Sequence, residues 1–317
     1  MNPRRLVAAT LVAAALGALS ACTGSTAAID PATGTGSTGA QPLTVATSFY
    51  PLEFAVQQIA GEHANVTSLT KPGAEPHDVE LSARQVVALR KADLLVYESG
   101  FQPAVDEATG LLDPSRLLDV TPVADLTTTD PGEHDPAAGD DHDHAVDPHF
   151  WLDPERYATV ADAIGARLGR LDPARATAYA AGAKAFVGRL DKLDRQFHAG
   201  LAHCRITDLV TSHAAFGYLA QRYGLVQHGI TGLNPEAEPT AGALAAITRL
   251  VTERGVTTIY QETLVEPHFA QVVAAETGAA VATLDPVEGI TTASAGTDYF
   301  GIMRANLARL EKGQDCR

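Results

Sequence analysis

Residues 173–204 read PARATAYAAGAKAFVGRLDKLDRQFHAGLAHC. Within this stretch Tyr179, Ala183, Phe186, Leu190, Leu193, Phe197 and Leu201 recur every three or four positions. That spacing draws one apolar stripe along a helix of about seven turns. Pro173 suits the opening turn, where a missing N–H costs nothing, and the pattern ends near Gly200 and Cys204.

The segments on either side alternate between short β-rich runs and helical spacing. Before the long helix, Leu43–Phe49, Asn65–Leu69 and Asp93–Ser99 read as strands, and Pro51–Ala64, Ser82–Ala92 and Gln102–Leu112 as helices. Asp153 caps a further helix with Pro154 at its first position, running to Leu171. After the long helix, Ile206–Ser212, Leu225–His228, Val256–Tyr260 and Ala280–Leu284 read as strands. Ala214–Tyr223, Thr240–Arg254, Pro267–Thr277 and a last helix from Asp298 to Gly313 alternate with them. Such alternation implies parallel sheets with helical crossovers. The expected fold class is α/β: two lobes, each a mainly parallel β-sheet flanked by helices, joined by one long α-helix. The lobes span 43–172 and 203–317, with the linking helix at 173–202; no residue-level repeat relates them.

The first residues carry a targeting signal rather than fold. Arg4 and Arg5 precede an apolar run, Leu6–Leu19, too short to span as a stable anchor. Leu19-Ser20-Ala21-Cys22 then resembles a bacterial lipobox. Residues 1–21 are expected to be removed as a lipoprotein signal peptide, leaving Cys22 to carry lipid. Residues 22–42, rich in Gly, Ser, Thr, Ala and Pro, would serve as a flexible tether. The expected product is exported and anchored to the outer face of the cell membrane.

The net charge of −15 argues against nucleic acid as a partner. About 275 residues beyond the tether suffice for two lobes. Three cysteines are present. With Cys22 taken by lipid, Cys204 and Cys316 form the expected disulfide in an oxidising compartment. Closing so long a loop would add roughly 4–5 kcal/mol in the chain-entropy model.

Between Arg116 and Arg156 there is no Lys or Arg, but there are eleven Asp or Glu. The tract 130–147 includes His134, His142 and His144, and leads into Asp147-Pro148-His149-Phe150-Trp151-Leu152-Asp153-Pro154. Imidazoles among carboxylates suit a divalent transition metal. His149, stiffly held beside the chain's only Trp, is expected to be one ligand of a fixed site, with His134, His142 and His144 as an accessory metal loop. His77 follows one strand, His213 directly follows another, and Asp285 directly follows a third. Strand ends can aim side chains into one crevice, so His77, His149, His213 and Asp285 form the expected shell. Three imidazoles and a carboxylate complete a tetrahedron for Zn²⁺. Glu262, also after a strand, is the alternative fourth ligand. His63, His198, His203, His228 and His268 have no such placement and read as surface or structural residues. Four protein donors leave no open position for an activated water, which favours binding over catalysis.

Four stretches carry a family resemblance: Lys71-Pro-Gly-Ala-Glu-Pro-His77-Asp78, Asp147–Pro154, Ser212-His213-Ala-Ala-Phe-Gly-Tyr218 and Leu284-Asp285-Pro286. In this order they resemble the motifs of zinc-uptake solute-binding proteins of ABC transporters, over about residues 43–313. The resemblance implies His77, His149 and His213 as zinc ligands, and Asp285 at a position that is a ligand in some members. It implies a rigid linking helix with small lobe motion, an imidazole at 213 favouring zinc over manganese, and a short His/Asp loop that hands zinc to the cleft. The implied partner is an ABC permease, the protein acting as a monomer and not an enzyme, with Zn²⁺ as transported ligand. Rival readings are a metal-dependent adhesion lipoprotein and a zinc hydrolase.

Overall fold

In a computed structural model, which describes residues 41–126 and 146–317, the two sheets have the same topology. The first comprises β1 (Leu43–Thr47), β2 (Ala64–Ser68), β3 (Leu94–Tyr97) and β4 (Leu117–Asp119), in the order β2-β1-β3-β4. The second comprises β5 (Asp208–Thr211), β6 (Val226–Gly229), β7 (Thr258–Gln261) and β8 (Ala280–Thr283), in the order β6-β5-β7-β8. Every pairing is parallel. The strands of both lobes therefore present their carboxyl ends together, which is where a parallel sheet aims its loops.

Local chemistry sets the helix ends. α1 (Tyr50–Ala60) opens with Pro51 in its first turn and stops at Gly61, whose φ of 54° reverses the chain into β2. α2 (Ala83–Leu89) starts on a reciprocal capping box between Ser82 and Gln85. α3 (Pro103–Thr109) completes the first sheet's crossovers, and α4 (Pro154–Leu171) is capped by Asp153, whose carboxylate accepts the Glu155 N–H. In the second lobe α6 (Gly217–Tyr223), α7 (Ala241–Arg254) and α8 (His268–Thr277) each stop on a left-handed glycine. α9 (Tyr299–Gly313) is capped by Asp298, as its sequence implied.

The linking helix, α5, runs Ala176–Leu201 after a 3-10 turn at Pro173–Arg175. Its seven apolar stripe positions are all buried. It packs on α4, α1 and α9, and one core runs through both lobes. At the centre Phe54 of α1, Phe186 of α5 and Phe300 of α9 meet with ring centroids 5.6–5.9 Å apart. A Cβ on Gly182 would lie 2.2 Å from the Ile59 carbonyl oxygen. Glycine there lets α5 approach α1 backbone to backbone.

The first two helices stop at Ala60 and Leu89, short of the expected Ala64 and Ala92, and two further elements differ from the sequence reading. β4 was not expected: three residues, Leu117–Asp119, are too few to show a period. α6 begins at Gly217 rather than Ala214, because Ser212 to Phe216 form a loop whose backbone is used elsewhere: Ala214 N–H donates to the Gly232 carbonyl, and His213 N–H to Glu262. Cys204 and Cys316 are bonded and pin the C-terminus to the start of the second lobe. Among the described residues no helix is long and apolar enough to cross a membrane. Cys22, His134, His142 and His144 lie outside the described residues.

Candidate metal site

Four loops converge between the lobes. His77 follows β2 and His149 lies beyond β4; His213 follows β5 and Glu288 lies beyond β8. One donor atom from each lies within 4.8 Å of the other three. His149 Nε2 stands 3.1 Å from Glu288 Oε1 and 3.3 Å from His213 Nε2. His213 Nε2 and His77 Nε2 lie 3.5 and 3.6 Å from the same Glu288 oxygen. A tetrahedral shell with bonds near 2.0–2.1 Å has edges of about 3.3–3.4 Å. These four separations scatter around that length and every pair of donors stays within 4.8 Å, so the pocket suits one small dication.

The sequence reading placed Asp285 fourth, with Glu262 as its rival. Neither stands in this group; Glu288 does. Asp285 directs Oδ1 at the Val287 N–H, 2.9 Å away, so it serves the turn rather than the pocket. Glu262 sits behind His213: Oε1 lies 2.6 Å from Nδ1 and accepts the His213 N–H at 3.0 Å. Glu288 does not directly follow a strand, so strand-end placement does not mark it. The available signal was a second carboxylate in a short apolar loop, Leu284–Ile290, that already held one.

Each histidine is steadied by a carboxylate that accepts its backbone N–H: Glu75 for His77, Asp147 for His149, Glu262 for His213, at 2.8–3.0 Å. Asp147 and Glu262 also face the Nδ1 of their histidines, Asp147 at 2.8 Å. Where Asp147 holds the His149 Nδ1–H, Nε2 is left as a lone-pair donor facing the pocket. Gly217 leaves room for this, since a Cβ there would lie 2.7 Å from Asp147 Oδ2. Tyr218 reaches across from the second lobe to donate to the Asp147 carbonyl at 2.8 Å. Gln102 holds the His77 loop by donating to the Pro76 carbonyl at 2.8 Å, and Phe101 packs edge-on against the His77 ring.

His149, His213 and Glu288 are fully buried, and His77 keeps about 10% of its side chain exposed. The charges follow from that burial. Burial would push the Glu288 carboxyl up, but hydrogen bonds from the three imidazoles hold it well below the usual carboxylate range. Burial pulls His213 down, yet Glu262 and then Glu288 push it up to about 10. His149 is raised in the same way by Asp147 and Glu288 against its burial, whereas burial leaves His77 lowered. Burial, then Glu288, pushes Glu75 up to about 8. The pocket is an anionic cage that holds protons where a cation fits. Of the histidines assigned no role, His228 pairs with Asp208 at 2.8 Å and His198 lies 3.6 Å from Asp194.

Two parallel-sheet lobes on a shared helix, with a closed three-imidazole, one-carboxylate pocket between them, define a two-lobed metal-binding protein. The family of the zinc-uptake complex component A, periplasmic (ZnuA), matches residues 45–313. The chain belongs to that family. It is 34% identical over 287 residues to the zinc-binding protein AdcA of Streptococcus pyogenes serotype M6, covering 86% of this chain and 56% of that protein. The chain thus spans little more than half the length of that relative. The Zn(II)-bound ZnuA-like domain of Streptococcus pneumoniae AdcA superposes with a TM-score of 0.71 at 33% identity, covering 86% of this chain and 99% of that one. The laminin-binding protein Lmb of Streptococcus agalactiae, described as bifunctional with adhesin and metal-transporting activity, superposes with a TM-score of 0.72 at 33% identity, over 86% and 99% of the two chains.

Proposed function

We propose that this chain is the extracytoplasmic zinc-binding component of an ABC importer. It takes Zn²⁺ between its lobes through the Nε2 atoms of His77, His149 and His213 and the Oε1 atom of Glu288, and delivers it to a membrane permease. One observation carries this reading: four donors from four separate loops and both lobes lie within 4.8 Å of one another, with Glu288 Oε1 3.1–3.6 Å from all three imidazole nitrogens. Membership of the zinc-uptake family supports it. Three imidazoles with one carboxylate suit zinc better than manganese, which favours more oxygen donors. Four protein donors fill the shell, and the family is a solute-binding component of uptake, which sets the hydrolase reading aside.

The core shared through α5 supports small lobe movements, since wide opening would expose the aromatic cluster at Phe54, Phe186 and Phe300. Removal of residues 1–21, lipid on Cys22, a tether over 22–42 and a monomeric state complete the proposal, with His134, His142 and His144 as a weak capturing loop. Chelator-competition titration of the purified chain should show one tightly held zinc, weakened at least ten-fold by His77→Ala, His149→Ala, His213→Ala or Glu288→Ala. Stoichiometric binding that survives all four substitutions would refute the assignment. The likeness to Lmb favours adhesion as a second reading; unchanged growth on scarce zinc after gene deletion, with lost surface attachment, would select it.

A further inference from the structure

The turn that delivers Glu288 holds a residue in a conformation it disfavours. Val287, immediately before the carboxylate, has a φ of 60°. In that left-handed region a β-branched side chain crowds its own backbone. Val287 is also fully buried. Such a conformation persists only where its surroundings over-determine it.

Those surroundings are specific. Asp285 Oδ1 accepts the Val287 N–H at 2.9 Å. Asn306, fully buried on α9, grips Asp285 from both sides: its Oδ1 accepts the Asp285 N–H at 3.0 Å, and its Nδ2 donates to the Asp285 carbonyl at 2.7 Å. From the other lobe, Trp151 Nε1 donates to the Pro286 carbonyl at 2.7 Å. Three consecutive residues ahead of Glu288 are thus each fixed by hydrogen bonding, and neither Asp285 nor Asn306 belongs to the donor group.

We propose that Asp285, itself fixed by Asn306, is a positioning residue for zinc: it clamps Val287 in the left-handed conformation, and that conformation aims Glu288 at the three imidazoles. This rests on the reading of Glu288 as fourth ligand. Without the clamp, Val287 gains by returning to negative φ, and the direction of every atom after it changes. A glycine at 287 would hold the same φ without crowding. The clamp should then become dispensable, an outcome that neither a ligand role nor a general structural role for Asp285 produces.

The test measures zinc affinity by chelator competition, and the visible d–d absorption of the Co²⁺-loaded chain, for Asp285→Ala, Asp285→Asn, Val287→Gly and the double variant Val287→Gly/Asp285→Ala. Asp285→Ala should weaken zinc about ten-fold or more and bleach the tetrahedral Co²⁺ bands. Asp285→Asn, which keeps an oxygen acceptor, should stay within about three-fold of the parent. In the Val287→Gly background the Asp285→Ala loss should shrink below about three-fold and the bands should return. An equal loss in both backgrounds would overturn the proposal, as would Asp285→Asn failing as badly as Asp285→Ala. If Asp285→Ala alone does not fold, the double variant against Val287→Gly decides: a ten-fold difference there overturns it. Failure of the parent chain to bind zinc, or a Glu288→Gln variant with undiminished affinity, would instead bring down the reading of the site on which this rests.

Discussion

His149 Nε2 and His213 Nε2 stand 3.3 Å apart although they come from opposite lobes. Two imidazole nitrogens facing each other that closely must share a proton or a cation between them. Glu262 and Glu288 push His213 up to about 10 despite its burial, so below that pH the metal-free pocket keeps a proton. Zinc requires both Nε2 lone pairs and must expel it. Titrating zinc at pH 8 by calorimetry, in buffers of different ionisation enthalpy, should show about one proton or more released per zinc. Affinity should keep rising with pH towards about 10, beyond the ordinary imidazole range near 6.5. No net proton release at pH 8 would contradict the arrangement.

Asp147 holds both the backbone and the ring of His149, and Glu262 accepts the His213 backbone N–H and lies 2.6 Å from its Nδ1. Glu262→Ala and Asp147→Ala should each weaken zinc about 10–100-fold without removing a ligand. Glu262→Gln can still accept the His213 N–H and should lose less. Chelator competition on the three variants checks the ranking.

The Cys204–Cys316 bond closes a sequence separation of 112 residues. Its removal should lower stability by about 4–5 kcal/mol. Denaturant unfolding of a Cys204→Ser/Cys316→Ser variant, with and without zinc, reads this. The zinc-loaded protein should keep most of its affinity, because neither cysteine belongs to the donor group.

Trp151 is fully buried, its ring centroid is 5.3 Å from that of His149, and its indole N–H is spent on the Pro286 carbonyl across the lobes. Trp151→Phe fills most of the volume but leaves that buried carbonyl without its donor, costing about 1–3 kcal/mol. Thermal unfolding of the metal-free variant should show the loss. In the parent chain this sole tryptophan should change its emission when zinc binds.

Much of this is legible in the amino-acid sequence. The α5 stripe at Tyr179, Ala183, Phe186, Leu190, Leu193, Phe197 and Leu201 is buried throughout, because 3.6-residue periodicity over seven turns has few other readings. The capping roles of Asp153 and Asp298 were equally plain, since each acts within three residues of itself. His77 and His213 could be singled out because motif context and strand-end placement both mark them, and His149 because it sits in a Pro-bounded segment beside the only Trp. The fourth donor could not. Asp285 and Glu288 are three residues apart in one loop, with the left-handed Val287 between them, and on the proposal above that conformation decides which of them faces the pocket. A sequence shows that a valine is there but not that its φ is positive, a conformation valine rarely adopts. β4 escaped for a related reason: its pairing with β3 is a tertiary fact.

The most direct test is X-ray absorption at the zinc K-edge on the chain loaded with one equivalent of Zn²⁺. The account predicts a four-coordinate spectrum, with three imidazoles and one carboxylate oxygen at about 2.0–2.1 Å, that loses its oxygen contribution or gains a water in Glu288→Ala and keeps four protein donors in Glu262→Ala. A parent spectrum with fewer than three imidazoles, or one unmoved by Glu288→Ala, would contradict it.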